Sequence, residues 1–350
     1  MTIAEATPIE IVIAGLGRAG WNIHWKALLA ERDDYRVVAA IEPLAERRAE
    51  AEAEIGCRTY ASLEAYLAAP VGEAVILATP TSGHASEALA CLDAGIHVVV
   101  DKPMCQTLAE ADALIERSRA VDRIVTCYHP LRFAPVFVAI RDLLASERLG
   151  RIVEIKASRC HFVRRNDWVM RRGPGSGLHN VWGSHTVDQC LQLAQSAPRD
   201  IFCDLQRTVT PGDADDHCKI VMRCEDGVVI DIEVSNCAAL TPQPEWHIIG
   251  TCGNAVSTGD GLRIRWFDPD AAPPLALQEG AAAGRQYGND DVLPWQEERL
   301  PIDRQTHSQD FYDNLAAAIR DGEALLITPE SVRNTIAVLE TCRAQNPNVT

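Results

Sequence analysis

The first 126 residues alternate between two hydrophobic periods. Short, continuous apolar runs fall at IEIVIAG (9–15), YRVVAAIE (35–42), EAVILATP (73–80), IHVVVDKP (96–103) and RIVTCY (123–128). Runs of that length predict strands covered on both faces, as in a parallel sheet. Between them GWNIHWKALLAER (20–32), LAERRAEAEAEI (44–55), ASEALACLDAG (85–95) and LAEADALIERSRA (108–120) each carry a one-sided apolar stripe. That is the helical period. Gly56 and Gly95 stand where two of these helices should end. Strict alternation of strand and helix predicts right-handed crossovers and a doubly wound sheet.

The pattern changes after about residue 127. FAPVFVAIRDLLAS (133–146) and SHTVDQCLQLAQS (184–196) read as helices, and RIVEIKASRCHFV (151–163) alternates as a strand does. Six more strands are predicted at 201–209, 217–224, 227–236, 245–251, 254–259 and 262–267. Turn pairs such as Asp226-Gly227 and Gly253-Asn254 separate them, which favours an antiparallel meander. Residues 268–300, rich in Pro, Gly and Ala, read as a long loop. Helices close the chain at about 307–321 and 329–344; the second opens with Thr328-Pro329-Glu330, an N-cap followed by proline. The fold class is therefore α/β. A doubly wound parallel sheet over 1–126 precedes a second α/β unit over 127–350 with a large, mostly antiparallel, open sheet.

Charge narrows the function. Forty-nine acids against 33 Lys and Arg give a net charge of −16, which repels phosphate backbones and argues against nucleic acid as partner. No apolar run approaches the length of a membrane-spanning helix, so no membrane role is expected. The opening MTIAEATPIEIVIAGLG has early acids and no basic start, and reads as a lead-in to a strand, not as a signal peptide. The 12 cysteines are scattered singly with no CxxC, the usage of free buried thiols in a cytoplasmic protein. Lysine occurs only at 26, 102, 156 and 219.

The chemistry begins at Gly15-Leu16-Gly17-Arg18-Ala19-Gly20, a GxGxxG between a strand and a helix. The first glycine permits the tight turn, the second lets backbone approach a pyrophosphate, and the third lets helix and strand pack closely. Free N–H groups at the helix start then hold phosphates. The next strand ends at Glu42, an acid at the spacing that binds the ribose 2′-hydroxyl and repels a 2′-phosphate. NAD is the expected cofactor, with NADP possible because Arg47 and Arg48 stand nearby; both also read as solvent-facing helix positions.

The fifth strand ends in Asp101-Lys102-Pro103, at the end that faces the ligand crevice. A lysine desolvated beside a cationic nicotinamide loses proton affinity and suits proton exchange with a hydroxyl. His185 and Asp188 lie three apart at the start of a helix and share a face. His179 and Asn180 shortly precede them, and Tyr128 and His129 follow the sixth strand. Arg159, His161, Arg164, Arg165, Arg171 and Arg172 crowd into one loop with Asp167 and Trp168. They suit a substrate carboxylate or phosphate, or read as a solvated basic loop or a subunit contact. No Cys or further His stands at ligand spacing around His179 and His185, so no metal is expected.

Several stretches in order resemble the glucose–fructose oxidoreductase / inositol dehydrogenase / rhizopine-catabolism (Gfo/Idh/MocA) family of NAD(P)-dependent oxidoreductases. They are GLGRAG (15–20), ATPTSGHASEAL (78–89), AGIHVVVDKPMCQTLAEA (94–111), GSHTVD (183–188) and FYDNLAAAIRDGEALLITPES (311–331). The resemblance implies a Rossmann domain followed by an α/β domain whose open sheet makes a homodimer or homotetramer. It places Thr79, Pro80, His84, Asp101, Lys102 and Pro103 at the cofactor, with Lys102-Pro103 in the cis form. It makes Lys102 and His185 catalytic and Asp188 a contact to substrate hydroxyls. One position departs: where the family's Asp-x-Gly-x-His-x-x-Asp begins with an acid, this chain has Val181. Either Asn180 or His179 stands in for it, or the proton relay reduces to Lys102 and His185, or dehydrogenase activity is weak.

These readings converge on hydride transfer between NAD(P) and a hydroxyl-bearing carbon of a sugar, sugar acid or cyclitol. Asn180, His179, Tyr128, His129, Arg164, Arg165 and Trp168 are the expected further substrate contacts. Two alternatives stay open: an NAD-dependent glycosidase on the same fold, and a nucleotide-dependent sugar sensor with little turnover, which Val181 keeps in play.

Overall fold

The computed structural model describes residues 7–240, 243–277, 280, 285, 291–303 and 308–350. The five apolar runs become the strands β1 (Ile9–Ala14), β2 (Tyr35–Ile41), β4 (Ala74–Leu77), β5 (His97–Asp101) and β6 (Val125–Tyr128), and a short strand β3 (Arg58–Tyr60) joins them. They pair in parallel in the order β3-β2-β1-β4-β5-β6. The order reverses between β1 and β4, which opens a crevice at the carboxyl ends of these two strands. Ile11, Ile13, Val75, Ile76, Val98 and Val99 are fully buried, as continuous apolar strands under two helical layers must be. Each such side chain contributes about 1.5–3 kcal/mol of burial.

The first helix, Arg18–Leu29, is wound in wide turns and closes with an i→i−5 bond from the Ala30 N–H to the Trp25 carbonyl at 2.9 Å. Helices Ala45–Glu54, Thr81–Asp93 and Leu108–Val121 follow the predicted stripes. The last has a capping box, Thr107 with Glu110, which satisfies two orphan amides reciprocally. The short strand β3 and a one-turn helix, Leu63–Leu67, were not predicted; three and five residues are too few to show a period.

The second sheet has eight strands: β7 (Ile152–Cys160), β8 (Pro198–Gln206), β9 (His217–Cys224), β10 (Val229–Ser235), β11 (Trp246–Gly250), β12 (Gly253–Ser257), β13 (Gly261–Trp266) and β14 (Gln296–Pro301). Their order is β14-β13-β12-β11-β7-β10-β9-β8. All neighbours are antiparallel except β7 and β10. The sheet is thus two meanders with β7 inserted between them, not one. β14 corrects the expectation of a loop through residue 300. It is an edge strand of sequence QEERLP, almost without apolar residues, so no alternation marked it. Much of the rest of 268–300, and residue 307 at the expected start of the penultimate helix, lie outside the described residues; that helix runs Gln309–Asp321.

Helices Pro135–Ala145, Ser184–Ala194 and Pro329–Gln345 cover one face of the second sheet. The last also touches the first sheet: Val332 and Ile336 join the core there, while Val338 and Cys342 join the second. Phe311, Tyr312, Leu315 and Ile327 likewise pack into the first core. All twelve cysteines are free thiols. Among the described residues no helix is long and apolar enough to cross a membrane.

Candidate active site

A cleft of about 890 Å³ opens at the reversal between β1 and β4. Its floor is the glycine turn. Gly15 sits at φ +88°, and a Cβ there would lie 2.6 Å from the Ala78 carbonyl oxygen. A Cβ at Gly20 would lie 1.9 Å from the Gly15 oxygen. Both positions therefore exclude any larger residue. Gly17 differs: nothing lies within 4 Å of its added Cβ, and the residue lines the cleft. That open backbone is the shape a pyrophosphate needs, with the start of the first helix beneath it. Arg18 and Ala19 line the same wall; Leu16 and Gly20 do not.

Glu42 fixes the far end of this wall. Its carboxylate accepts the Leu16 N–H at 2.9 Å and the Leu44 N–H at 3.1 Å, and the side chain is buried. Arg47 stands 3.6 Å from it and lines the cleft, so it does not merely face solvent. Arg48 instead donates to the carbonyls of Glu42 and Pro43 at 2.8 and 2.7 Å. The pocket residues thus fit a dinucleotide: an open glycine edge for the diphosphate and a held carboxylate for the ribose.

On the opposite wall the expected cofactor residues Thr79, Pro80, His84, Asp101, Lys102 and Pro103 all line the cleft, and Lys102-Pro103 is cis. His84 spans the two strand ends, with its ring nitrogens 2.8 Å from the Thr79 carbonyl and 2.9 Å from that of Pro103. Lys102 Nζ donates to the Val181 carbonyl at 2.8 Å, which ties the first sheet to the turn before the histidine helix. Burial pushes its ammonium below the usual 10.5; Asp101 opposes the fall, and the charges on Arg165 and Arg18 add to it.

His185 lines the cleft beside Lys102. Burial holds its imidazole well below 6.5, and Lys102, His129 and Arg159 push in the same direction. The ring is therefore neutral at physiological pH and able to accept a proton. Its Nδ1 is buried and has no partner among the described residues. Tyr128, Arg165, Trp168, Asn180 and Val181 also line the cleft.

Four expected substrate contacts stand elsewhere. Asp188 is buried, 1% exposed, and caged: Arg132 grips it with two bonds of 2.8 and 2.6 Å, and Thr335 adds a third at 3.3 Å. The i, i+3 spacing did place it near His185, but a buried arginine claims its carboxylate. His129 is enclosed behind the site, its ring 5.7 Å from that of His185 and its Nδ1 3.7 Å from Asp188. Burial drives its pKa down to about 4 despite Asp188. His179 turns inward to Asp215 at 2.6 Å. Arg164 is exposed and does not line the cleft. Of the basic loop, only Arg165 reaches the cleft, paired with Asp167 at 2.5 Å. Arg159 is held by Glu245 and Gln189, both at 3.0 Å. The sequence reading missed Arg132 and Asp215; each sits far along the chain from its partner, and no local spacing marks it. Among the described residues no group of three His, Cys, Asp or Glu is arranged to hold a metal.

Known proteins resemble this chain in sequence and fold. Residues 9–129 match a family model described as "Oxidoreductase family, NAD-binding Rossmann fold", and residues 137–256 match the GFO/IDH/MocA C-terminal domain. An uncharacterized oxidoreductase of Schizosaccharomyces pombe is 29% identical over 222 residues, 61% of this chain and 60% of that protein. The match thus spans less than two thirds of that relative's length. The scyllo-inositol 2-dehydrogenase (NADP(+)) IolW of Bacillus subtilis is 24% identical over 95% of this chain and 92% of its own. The crystal structure of an NAD-binding protein from Listeria innocua superposes with a TM-score of 0.78 at 24% identity, over 97% of this chain and 95% of that one. With its dinucleotide cleft and both halves matched, the chain belongs to the Gfo/Idh/MocA family of NAD(P)-dependent oxidoreductases.

Proposed function

We propose that this protein transfers a hydride between NAD(P) and a hydroxyl-bearing carbon of a polyhydroxylated small molecule: a sugar, sugar acid or cyclitol. The observation that carries the proposal is the convergence of Lys102 and His185 on the cleft that the glycine turn floors. The inositol dehydrogenase among the relatives supports the substrate class.

When bound, the dinucleotide supplies a two-electron acceptor at its nicotinamide. The backbone at Gly15, Gly17 and Ala19 would hold its diphosphate, and Glu42 its adenosine ribose. His185, neutral at pH 7, takes the hydroxyl proton as the carbon is oxidised. The Lys102 ammonium, held by the Val181 carbonyl, stabilises negative charge that develops on the substrate oxygen. Trp168, Tyr128 and Arg165 shape the substrate end, and Arg165 suits an anionic substituent. NAD is favoured by Glu42; Arg47, 3.6 Å away, keeps NADP within reach.

Residues 1–126 serve the dinucleotide, and residues 127–350 serve substrate and assembly. Assembly uses the face of the eight-stranded sheet that no described helix covers, where Phe202 is 60% exposed and Val221 and Val229 are half-buried. NADH formation against a panel of sugars, sugar acids and cyclitols tests the chemistry. Turnover of at least one is expected, and none with any, while NAD still binds, would overturn it. Sedimentation of the purified protein tests assembly: a dimer or tetramer is expected, and a monomer at micromolar concentration refutes it.

A further inference from the structure

Asn180 lines the cleft next to Val181, the position where the resembling family carries an acid. Its side-chain amide is fixed by neighbours. Nδ2 donates to the Ser176 carbonyl at 2.6 Å and approaches His179 Nε2 at 2.9 Å. His179 Nδ1 lies 2.6 Å from Asp215 Oδ1, and the Asp215 Oδ2 accepts the His179 backbone N–H at 2.9 Å. Asp215 and His179 are 0% and 1% exposed. A carboxylate accepts only, so His179 presents Nδ1–H to Asp215; the Ser176 carbonyl calls for the amide nitrogen on its side, and Nε2, facing that same nitrogen, accepts its second N–H through a lone pair. That lone pair and the Ser176 carbonyl both require donors, so the amide can point only one way. Its Oδ1 is left over, buried and without a partner among the described residues. A buried acceptor without a partner is costly, and buried polar groups ordinarily find one.

We infer that Asn180 Oδ1 is a fixed acceptor for a substrate hydroxyl next to the reacting carbon, and that Asp215 and His179 are positioning residues that aim it. The inference rests on the proposed dehydrogenase reading. An acid at position 181 would accept a proton as well as a hydrogen bond; the Asn180 amide accepts a hydrogen bond alone. The site thereby selects a hydroxylated neighbour carbon while His185 remains the proton acceptor.

The test is a double-mutant cycle on the best substrate from the polyol panel. Asn180→Ala and Asp215→Asn are each expected to lower kcat/KM about tenfold, through KM, with NADH affinity unchanged. The double variant should be no worse than Asn180→Ala, because Asp215 acts only through the amide. A substrate analogue lacking the neighbouring hydroxyl should lose about tenfold with the unaltered protein and nothing further with Asn180→Ala. Losses that multiply to about a hundredfold, or Asn180→Ala without effect, overturn the inference. Nitrogen-15 NMR of histidine-labelled, unaltered protein reads the chain without turnover or mutation. His179 should show protonated Nδ1 and bare Nε2; a proton on Nε2 refutes the positioning. Absence of turnover with every panel member would instead overturn the dehydrogenase reading, and the labelled histidine would still decide the orientation of Asn180.

Discussion

Replacing Asp188 with alanine separates a buried structural acid from a substrate-binding one. In the structure its carboxylate receives two bonds from Arg132, at 2.8 and 2.6 Å, and one from Thr335 at 3.3 Å. Arg132 is 7% exposed and also donates to the Ser331 hydroxyl at 2.8 Å, which ties the histidine helix to the last helix. Removing one partner of a buried pair strands the other, at a cost of about 3–5 kcal/mol. At roughly 2–4 °C per kcal/mol for chains of 150–250 residues, that predicts a fall in Tm on the order of 10 °C. Replacing both partners, as Asp188→Leu with Arg132→Met, should recover most of the loss, because no charge is left unpaired.

The pH dependence has a definite sign. Burial raises the Asp188 carboxyl, but His129 and Arg132 outweigh it and the net shift is downward. The pair's contribution is present above the unfolded carboxylate value of about 3.9 and is lost as pH falls through the lower folded value. The Tm gap between the unaltered protein and Asp188→Ala should therefore close only in strong acid. Differential scanning calorimetry from pH 8 down into strong acid measures it, with KM taken on the folded variant at 25 °C. A variant with unchanged Tm and KM raised a hundredfold would show that Asp188 reaches the substrate, and would refute this reasoning.

Two further substitutions bear on the cleft. His185→Ala should lower kcat by roughly 10²–10⁴ with NADH affinity unchanged. The unaltered enzyme's rate of alcohol oxidation should stay flat through neutrality and fall only well below pH 6.5, as the imidazole becomes charged; an acid limb at pH 7 or above contradicts the assignment. Glu42→Gln removes the charge that repels a 2′-phosphate and leaves Arg47 without its nearby acid. The NADP-to-NAD preference in kcat/KM should rise at least about tenfold, and an unchanged ratio refutes the role of Glu42.

Much of this molecule is visible in its residue pattern, for a physical reason. Strands covered on both faces must be apolar throughout, so β1, β2, β4, β5 and β6 announce themselves, and the glycine turn between the first strand and helix is sterically demanded. Edge strands face weaker demands: β14 can be QEERLP because water covers it. The same distinction runs through the site. Lys102 and His185 stand at strand and helix ends, where local position decides what a side chain faces. The fates of Asp188 and His179 were decided by partners 56 and 36 residues away, Arg132 and Asp215. Periodicity reports which face of a helix a residue occupies, not which distant group meets it there. Val181 shows the converse: its side chain looked like a loss, yet its backbone carbonyl anchors Lys102.

The central claim is that a pyridine dinucleotide lies along the open backbone at Gly17, within reach of Lys102 and His185. Calorimetric titration of NAD and NADH into the purified protein and into Gly17→Val tests it most directly. Gly17 has nothing within 4 Å of its added Cβ, so the variant should fold normally while its side chain occupies the path of the diphosphate. Micromolar binding by the unaltered protein, weakened at least about a hundredfold in a variant of unchanged Tm, is the predicted result. Equal binding by the two proteins, or no binding of either nucleotide by the unaltered one, would contradict the account.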